Sequence, residues 1–293
     1  MQLSVDHSLR SASSALTPTG GFLAGFTHTL QPYIGCQFAC EYCYVKALTV
    51  HRFHQPLLAW GKYAHPRTNI DVCLRTELSR VARKDQLART FIFMSSVTDP
   101  YQAIERRYRL TRACLDVMLD LCPGLLVVQT RSPYVVDDFD RLKALGEHCW
   151  LNVSLETDLD AVRRLVTPLA PSIEQRLDVI RQANALGLNL QVTVSPCLPF
   201  SSVEEFGGLL LGLANRVIVD SYASGDGMKG RRTAKSAIPA LYSSQQWGDW
   251  HSEEKALALF DWLQQRIGER AGWSQQGFLA LTRQENPMLP PDL

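Results

Sequence analysis

The sequence predicts an α/β fold, an incomplete barrel of six strand–helix units. Three observations carry this. Short apolar segments rich in β-branched residues alternate along the chain with segments at helical spacing. Each strand is followed by a helix, which implies parallel pairing through right-handed crossovers. No Gly-rich dinucleotide loop follows the first strand, which favours a barrel over an open doubly wound sheet.

The first strand is expected in FTHTLQPYI, residues 26–34. IDVCLRTELSRVARK should start extended and turn helical. TFIFMSSV, 90–97, reads as a second strand closed by turn residues. In RLTRACLDVMLDLC, 109–122, the apolar residues Leu110, Ala113, Cys114, Val117, Met118 and Leu121 fall on one helical face. GLLVVQT, 124–130, reads as a buried strand, and VDDFDRLKALG, 136–146, as a helix with Asp137 as N-cap and Gly146 as stop. CWLNVSLET, 149–157, alternates as a strand. The next helix, 172–187, opens on a capping box of Ser172 and Gln175 and stops at Gly187. LNLQVTVSP, 188–196, is the fifth strand. A helix over 202–215 opens on Ser202 and Glu205, and RVIVDSY, 216–222, is the sixth strand. An amphipathic helix over 253–270 follows. The chain divides on this reading into an arm (1–25), the barrel core (26–222), and a Gly/basic loop with a helical region packed on the barrel (223–293).

Composition narrows the function classes. With 46% apolar residues the chain has material for a large core. Thirty basic against 29 acidic side chains give a net charge of +1, so no global field draws it to nucleic acid or membrane. No run of about eighteen apolar residues is present, so no membrane span is expected. The N-terminal stretch lacks a basic start followed by an apolar block, so a cytoplasmic location is expected. There the eight cysteines would stay reduced, and a tight cluster of them points to metal or catalysis.

That cluster is PYIGCQFACEYCYVK, residues 32–46, with Cys36, Cys40 and Cys43 spaced C-x3-C-x2-C. It follows the first strand, at the barrel end where loops carry chemistry. Thiolates suit zinc, copper(I) or iron–sulfur clusters. Two readings stay open from the residues alone. His28, His51 or His54 would complete a structural Cys3His zinc site. Alternatively, a four-iron cluster held by three cysteines keeps one iron open, serving either reaction or electron transfer.

The triad, with Tyr42 before its last cysteine, resembles the signature of radical S-adenosylmethionine (SAM) enzymes. TLQPYIGCQFACEYCYV, SSVTDPYQ, QTRSPYVVDDFDRL, VSLET and PLAPSIEQRLDVIRQANALGL together resemble the spore photoproduct lyase-like, or DNA repair photolyase-like, branch over residues 26–220. The resemblance implies a partial (β/α)6 TIM-like barrel. It also implies a [4Fe-4S] cluster on Cys36, Cys40 and Cys43, with SAM chelated at the open iron. Reductive cleavage would then yield a 5′-deoxyadenosyl radical that abstracts hydrogen from a substrate the sequence leaves open: a nucleic acid lesion, a peptide or a small metabolite. A reducing partner such as a flavodoxin or ferredoxin is implied.

The resemblance assigns SAM contacts to Tyr42, to the segment containing Ser96 and Thr98, to Arg131, and to Ser154. Arg131 stands where the lyases have a lysine facing the SAM carboxylate, and a guanidinium grips a carboxylate through two parallel bonds. Glu156 lies two residues beyond Ser154, on the same strand face, and would accept from ribose hydroxyls. Asp99 reads equally well as turn chemistry. One departure matters. Ser96 stands where the lyases carry a hydrogen-donating cysteine, and a hydroxyl O–H bond is too strong for that step. Cys197, Tyr101 and Tyr222 are the substitutes the sequence offers, Cys197 being also a common kind of buried filler. Finally, SYASGDGMKGRRTAKS places Lys229, Arg231, Arg232 and Lys235 among glycines, a cradle for a nucleic acid or other anionic substrate at 225–235, or a solvated loop.

Overall fold

A computed structural model of the protein describes residues 5–52, 58–225 and 227–285. Ten strands are present among them: β1 (Leu16–Pro18), β2 (His28–Leu30), β3 (Tyr33–Ile34), β4 (His65–Pro66), β5 (Phe91–Met94), β6 (Leu125–Thr130), β7 (Cys149–Ser154), β8 (Leu190–Val194), β9 (Arg216–Val219) and β10 (Ala271–Trp273). Eight form one sheet in the order β1-β2-β5-β6-β7-β8-β9-β10, and β3 with β4 makes a small antiparallel ribbon. Within the eight-stranded sheet every pairing from β2 to β10 is parallel, and only β1 runs antiparallel, on β2. The sheet stays open between β1 and β10 among the described residues. This is the α/β partial barrel expected, with β2, β5, β6, β7, β8 and β9 as its six strands.

Side chains alternate across each strand, so the sheet has two unlike faces. Leu126, Val128, Leu151, Val153, Val192 and Val217 belong to one core with the helical residues Leu115, Ile180 and Leu210. Each fully buried aliphatic side chain of this kind contributes about 1.5–3 kcal/mol. The opposite face turns inward. Phe91, Phe93, Leu125, Val127 and Ile218 gather there around Phe278 of the helix Ser274–Glu285. Further along the same face stand Gln129, Asn152 and Thr193, a polar row that leads to the strand ends.

Local chemistry sets the helix ends. The Ser172–Gln175 capping box forms in both directions ahead of Ile173–Ala185. Ser202 accepts from the Glu205 N–H at 3.1 Å, without a return bond from Glu205. Two local expectations are corrected. Ile70–Ala82 is helical from its first residue, because Ile70, Leu74 and Leu78 share one buried face. Asp137 does not cap its helix: Pro133 starts a tighter 3-10 turn over Pro133–Asp138, capped by Ser132 and preceding Phe139–Ala144. No helix among the described residues is long and apolar enough to cross a membrane.

Candidate functional site

The cysteine loop leaves β3 through Gly35, whose φ is +88°. A Cβ there would stand 2.4 Å from the Tyr63 ring, so only glycine makes this turn. Cys36 and Cys40 are buried beside Phe38 and Ala170, with Cys43 partly buried at their side. The Cys43 N–H returns to the Cys40 carbonyl at 3.1 Å, and Glu41 N–H reaches the Val166 carbonyl at 3.0 Å. All three cysteines line one open cleft of about 890 Å³ at the C-terminal ends of the strands. Burial pushes all three thiols up, and mutual repulsion adds to this at Cys36 and Cys43. Arg131 offsets part of it at Cys40.

Arg131, just past β6, is the hub of the cleft. Its Nη1 donates to Cys40 Sγ at 3.1 Å and to the Tyr42 hydroxyl at 2.7 Å, and lies 2.8 Å from Glu156 Oε1. Tyr42 in turn donates to Glu156 Oε1 at 2.6 Å. The other oxygen of Glu156 pairs with Arg176, which reaches in from the helix Ile173–Ala185 and also donates to the Ser154 carbonyl at 3.2 Å. Glu156 and Arg176 are both almost fully buried. Burial alone would raise the Glu156 carboxyl; Arg131, Arg176 and Tyr42 override it and bring it down to about 2. The Arg131 bonds all use Nη1, so its Nε and Nη2 make no hydrogen bond among the described residues.

The loop after β5 is fastened to the cysteine loop. Thr98 Oγ1 donates to the Gly35 carbonyl, and Gln102 Nε2 donates to Thr98 Oγ1 at 2.9 Å and to the Gly35 carbonyl at 3.2 Å. Gln102 Oε1 accepts from the Gln37 N–H at 2.6 Å. Asp99 clamps the β5 and β6 ends together. Its Oδ1 accepts from the Tyr101 N–H and the Thr130 hydroxyl, and its Oδ2 from the Arg131 N–H. Tyr44 donates to the Ser96 carbonyl at 2.6 Å.

A family model described as the radical SAM superfamily matches residues 30–211. The chain belongs to that superfamily. Among curated relatives, the uncharacterized protein ORF301 of Acidianus two-tailed virus is 33% identical over 59% of this chain and 56% of its own length. The uncharacterized protein MJ0683 of Methanocaldococcus jannaschii is 26% identical over 64% of this chain and 66% of its own. The chain thus spans between half and two thirds of the curated relatives it matches. Spore photoproduct lyase complexed with dinucleoside spore photoproduct superposes with a TM-score of 0.60 at 14% identity, over 92% of this chain and 80% of the lyase. A mutant of that lyase with bound AdoMet and dinucleoside spore photoproduct gives a TM-score of 0.61 at 14% identity, over 87% and 78%. These structures share the fold.

Within this radical SAM fold, most of the residues singled out from sequence meet in the cleft. Cys36, Cys40, Cys43, Tyr42, Ser96, Thr98, Arg131, Ser154 and Tyr222 all line it. Glu156 stands directly behind, facing arginines where ribose hydroxyls were expected. Tyr222 bonds the Tyr242 hydroxyl at 2.9 Å and sets its ring edge-on to Tyr42. Two residues lie elsewhere. Tyr101 is buried in the helix-facing core, and Cys197 is buried beyond the cleft lining, its N–H on the Asp220 carbonyl at 2.7 Å. Burial pushes the Cys197 thiol well up. Lys229, Arg231 and Lys235 are exposed.

The zinc reading finds little support in the side chains. Among the described residues no three His, Cys, Asp or Glu converge as a single ion requires. His28 bonds Thr27, His51 bonds Tyr63, and His54 lies outside the described residues. A cluster takes one thiolate per iron, so its thiols stand apart around a shared cleft. Arg176 and Gln102 were missed from sequence. A charged residue amid the buried stripe Ile173, Leu177 and Ile180 was the available signal for Arg176.

Proposed function

We propose that the protein is a radical SAM enzyme whose Cys36, Cys40 and Cys43 hold a [4Fe-4S] cluster, with SAM in the cleft beside them. When bound, the cluster and SAM supply a 5′-deoxyadenosyl radical for hydrogen abstraction. One observation carries this reading: the three thiols of C-x3-C-x2-C line a single cleft with a partly buried arginine bonded to one of them. Arg131 would orient Cys40 and offer Nε and Nη2 to the SAM carboxylate. Tyr42 and Glu156 hold that guanidinium in place. Ser96, Thr98 and Ser154 line the wall where the methionine end of SAM would lie. Tyr222 adds a second aromatic ring to the cleft, edge-on to Tyr42.

The reductant is a small one-electron donor of the flavodoxin or ferredoxin kind. The substrate enters from the open strand ends, beside a loop whose exposed Lys229, Arg231 and Lys235 suit an anionic group such as a phosphate. Spore photoproduct lyase has been solved complexed with dinucleoside spore photoproduct, and a nucleic acid lesion is one class of substrate that these cations suit.

The test uses protein purified without oxygen, reconstituted, and assayed for iron and sulfide. Reduced protein with SAM should release 5′-deoxyadenosine, and Cys40→Ala should not. Zinc in place of iron and sulfide, or a loaded cluster that never cleaves SAM with any reductant, would overturn the reading.

A further inference from the structure

A line of charged side chains runs back from the cysteine cleft: Arg131, Glu156 and Arg176. Arg131 keeps 14% of its side chain exposed, Glu156 1% and Arg176 none. Ions this deep are rare unless paired, and the pairing here is uneven, two cations to one anion. The inference below rests on the cluster proposed above and adds to it.

The line is held by the protein frame. Glu156 Oε1 at 2.8 Å and the Tyr42 hydroxyl at 2.7 Å fix the Arg131 guanidinium, whose Nη1 lies 3.1 Å from Cys40 Sγ. Glu156 Oε1 also accepts from Tyr42, and Oε2 meets Arg176. Arg176 is anchored further by donating from Nε to the Pro171 carbonyl and from Nη1 to the Ser154 carbonyl, both at 3.2 Å. These partners include no cysteine, so Arg176 acts on the cleft only through Glu156 and through its charge. Away from Cys40 the order is cation, anion, cation. Asp99 lines the same cleft and is unchanged in every comparison made below.

A cluster that accepts an electron gains one negative charge. Fixed cations nearby, and N–H donors to its sulfurs, favour that gain. Fixed anions oppose it, most strongly where water is excluded. We propose that this line of charges sets the reduction potential of the cluster. Arg131 raises the potential at Cys40, Arg176 raises it from behind, and Glu156, while holding Arg131 in place, lowers it. Arg176 is then a positioning residue for electron entry, remote from the reacting atoms.

The test loads the full-length protein with cluster, leaves SAM out, and follows reduction at controlled potential by EPR at pH 8, where Glu156 is ionised. At a fixed potential, Arg176→Met should lower the ratio of reduced to oxidised cluster about tenfold, which is about 59 mV for one electron. Glu156→Gln keeps an amide oxygen for Arg131 and Tyr42 and should raise that ratio about tenfold. The double variant loses one charge of each sign and should fall between the two. Arg131→Lys keeps the charge and should hold the ratio within about threefold, whereas Arg131→Met should lower it about tenfold or more. Damage to packing would move the variants at 156 and 176 the same way. Shifts of one sign at both positions, or no shift at either, overturn the proposal, as does equal behaviour of Arg131→Lys and Arg131→Met. The potential is read per loaded cluster, so a variant that loads poorly still reports. Protein that takes up no iron and sulfide overturns the preceding reading together with this one. A loaded cluster whose potential ignores these charges overturns this one alone, and the readout needs no SAM cleavage.

Discussion

The two faces of the central sheet obey different rules. On the outer face, Val128, Leu151, Val153 and Val192 need only be apolar and well packed against helices. On the inner face, Gln129, Asn152, Ser154 and Thr193 alternate with those same residues along the same strands. There every polar atom needs a particular partner, because burial makes an unmatched one costly. Stability should therefore be spread over many interchangeable contacts outside. Inside it should hang on a few specific ones, and function should hang there too.

The largest effect expected is at Glu156. Glu156→Gln leaves Arg131 and Arg176 buried without their counter-charge, and should cost about 3–5 kcal/mol in denaturant unfolding. The pH dependence sharpens this. The carboxyl is held at about 2 against an ordinary 4.5. Its stabilisation is complete above the ordinary value and is lost as pH falls from there toward about 2. The gap between native protein and Glu156→Gln should close over that interval; a gap that persists would mean the charge network is not the cause.

Next comes the outer face. Leu190 is fully buried against the helices, and Leu190→Ala should cost about 2–5 kcal/mol. Under conditions where the variant is folded, 5′-deoxyadenosine release should match the unaltered protein. A loss of turnover per folded molecule would break the division of labour between the faces.

Arg131→Lys should lower cluster retention or SAM cleavage by about 10–100-fold, measured as iron content and 5′-deoxyadenosine rate. A lysine ammonium standing in for Nη1 could meet Cys40, Tyr42 and Glu156, but it has no second nitrogen to offer the SAM carboxylate as Nε and Nη2 would. Retained activity would show that position 131 supplies charge alone. The smallest effect is in the polar relay. Asn152→Leu strands Gln129 Oε1 and Thr193, and should cost about 1–3 kcal/mol by the same unfolding measurement.

The same contrast explains what could be read from sequence. The outer face is periodic, so the six strands and their helices are visible as repeated apolar spacing. The cysteine triad is visible because its spacing is local. Contacts between distant segments leave no such trace. Gln102 meets Gly35 across 67 positions, and Glu156 meets Arg176 across 20. β10 escaped notice because AGW is short and one of its residues is glycine; its place in the sheet comes from parallel pairing with β9. Tyr101 follows Asp99 at the cleft yet turns into the core, since the Asp99 turn directs its backbone, not its ring, toward the site.

The Asp99 clamp has a further consequence. Two of its three partners are backbone N–H groups, those of Tyr101 and Arg131. Such a fastening is indifferent to the side chains at the positions it joins. The strand ends stay in register whichever residue other than proline occupies position 131, so the chemistry of the cleft can be exchanged without rebuilding the frame. A scaffold fastened in this way can diverge in what it does while keeping the shape in which it does it.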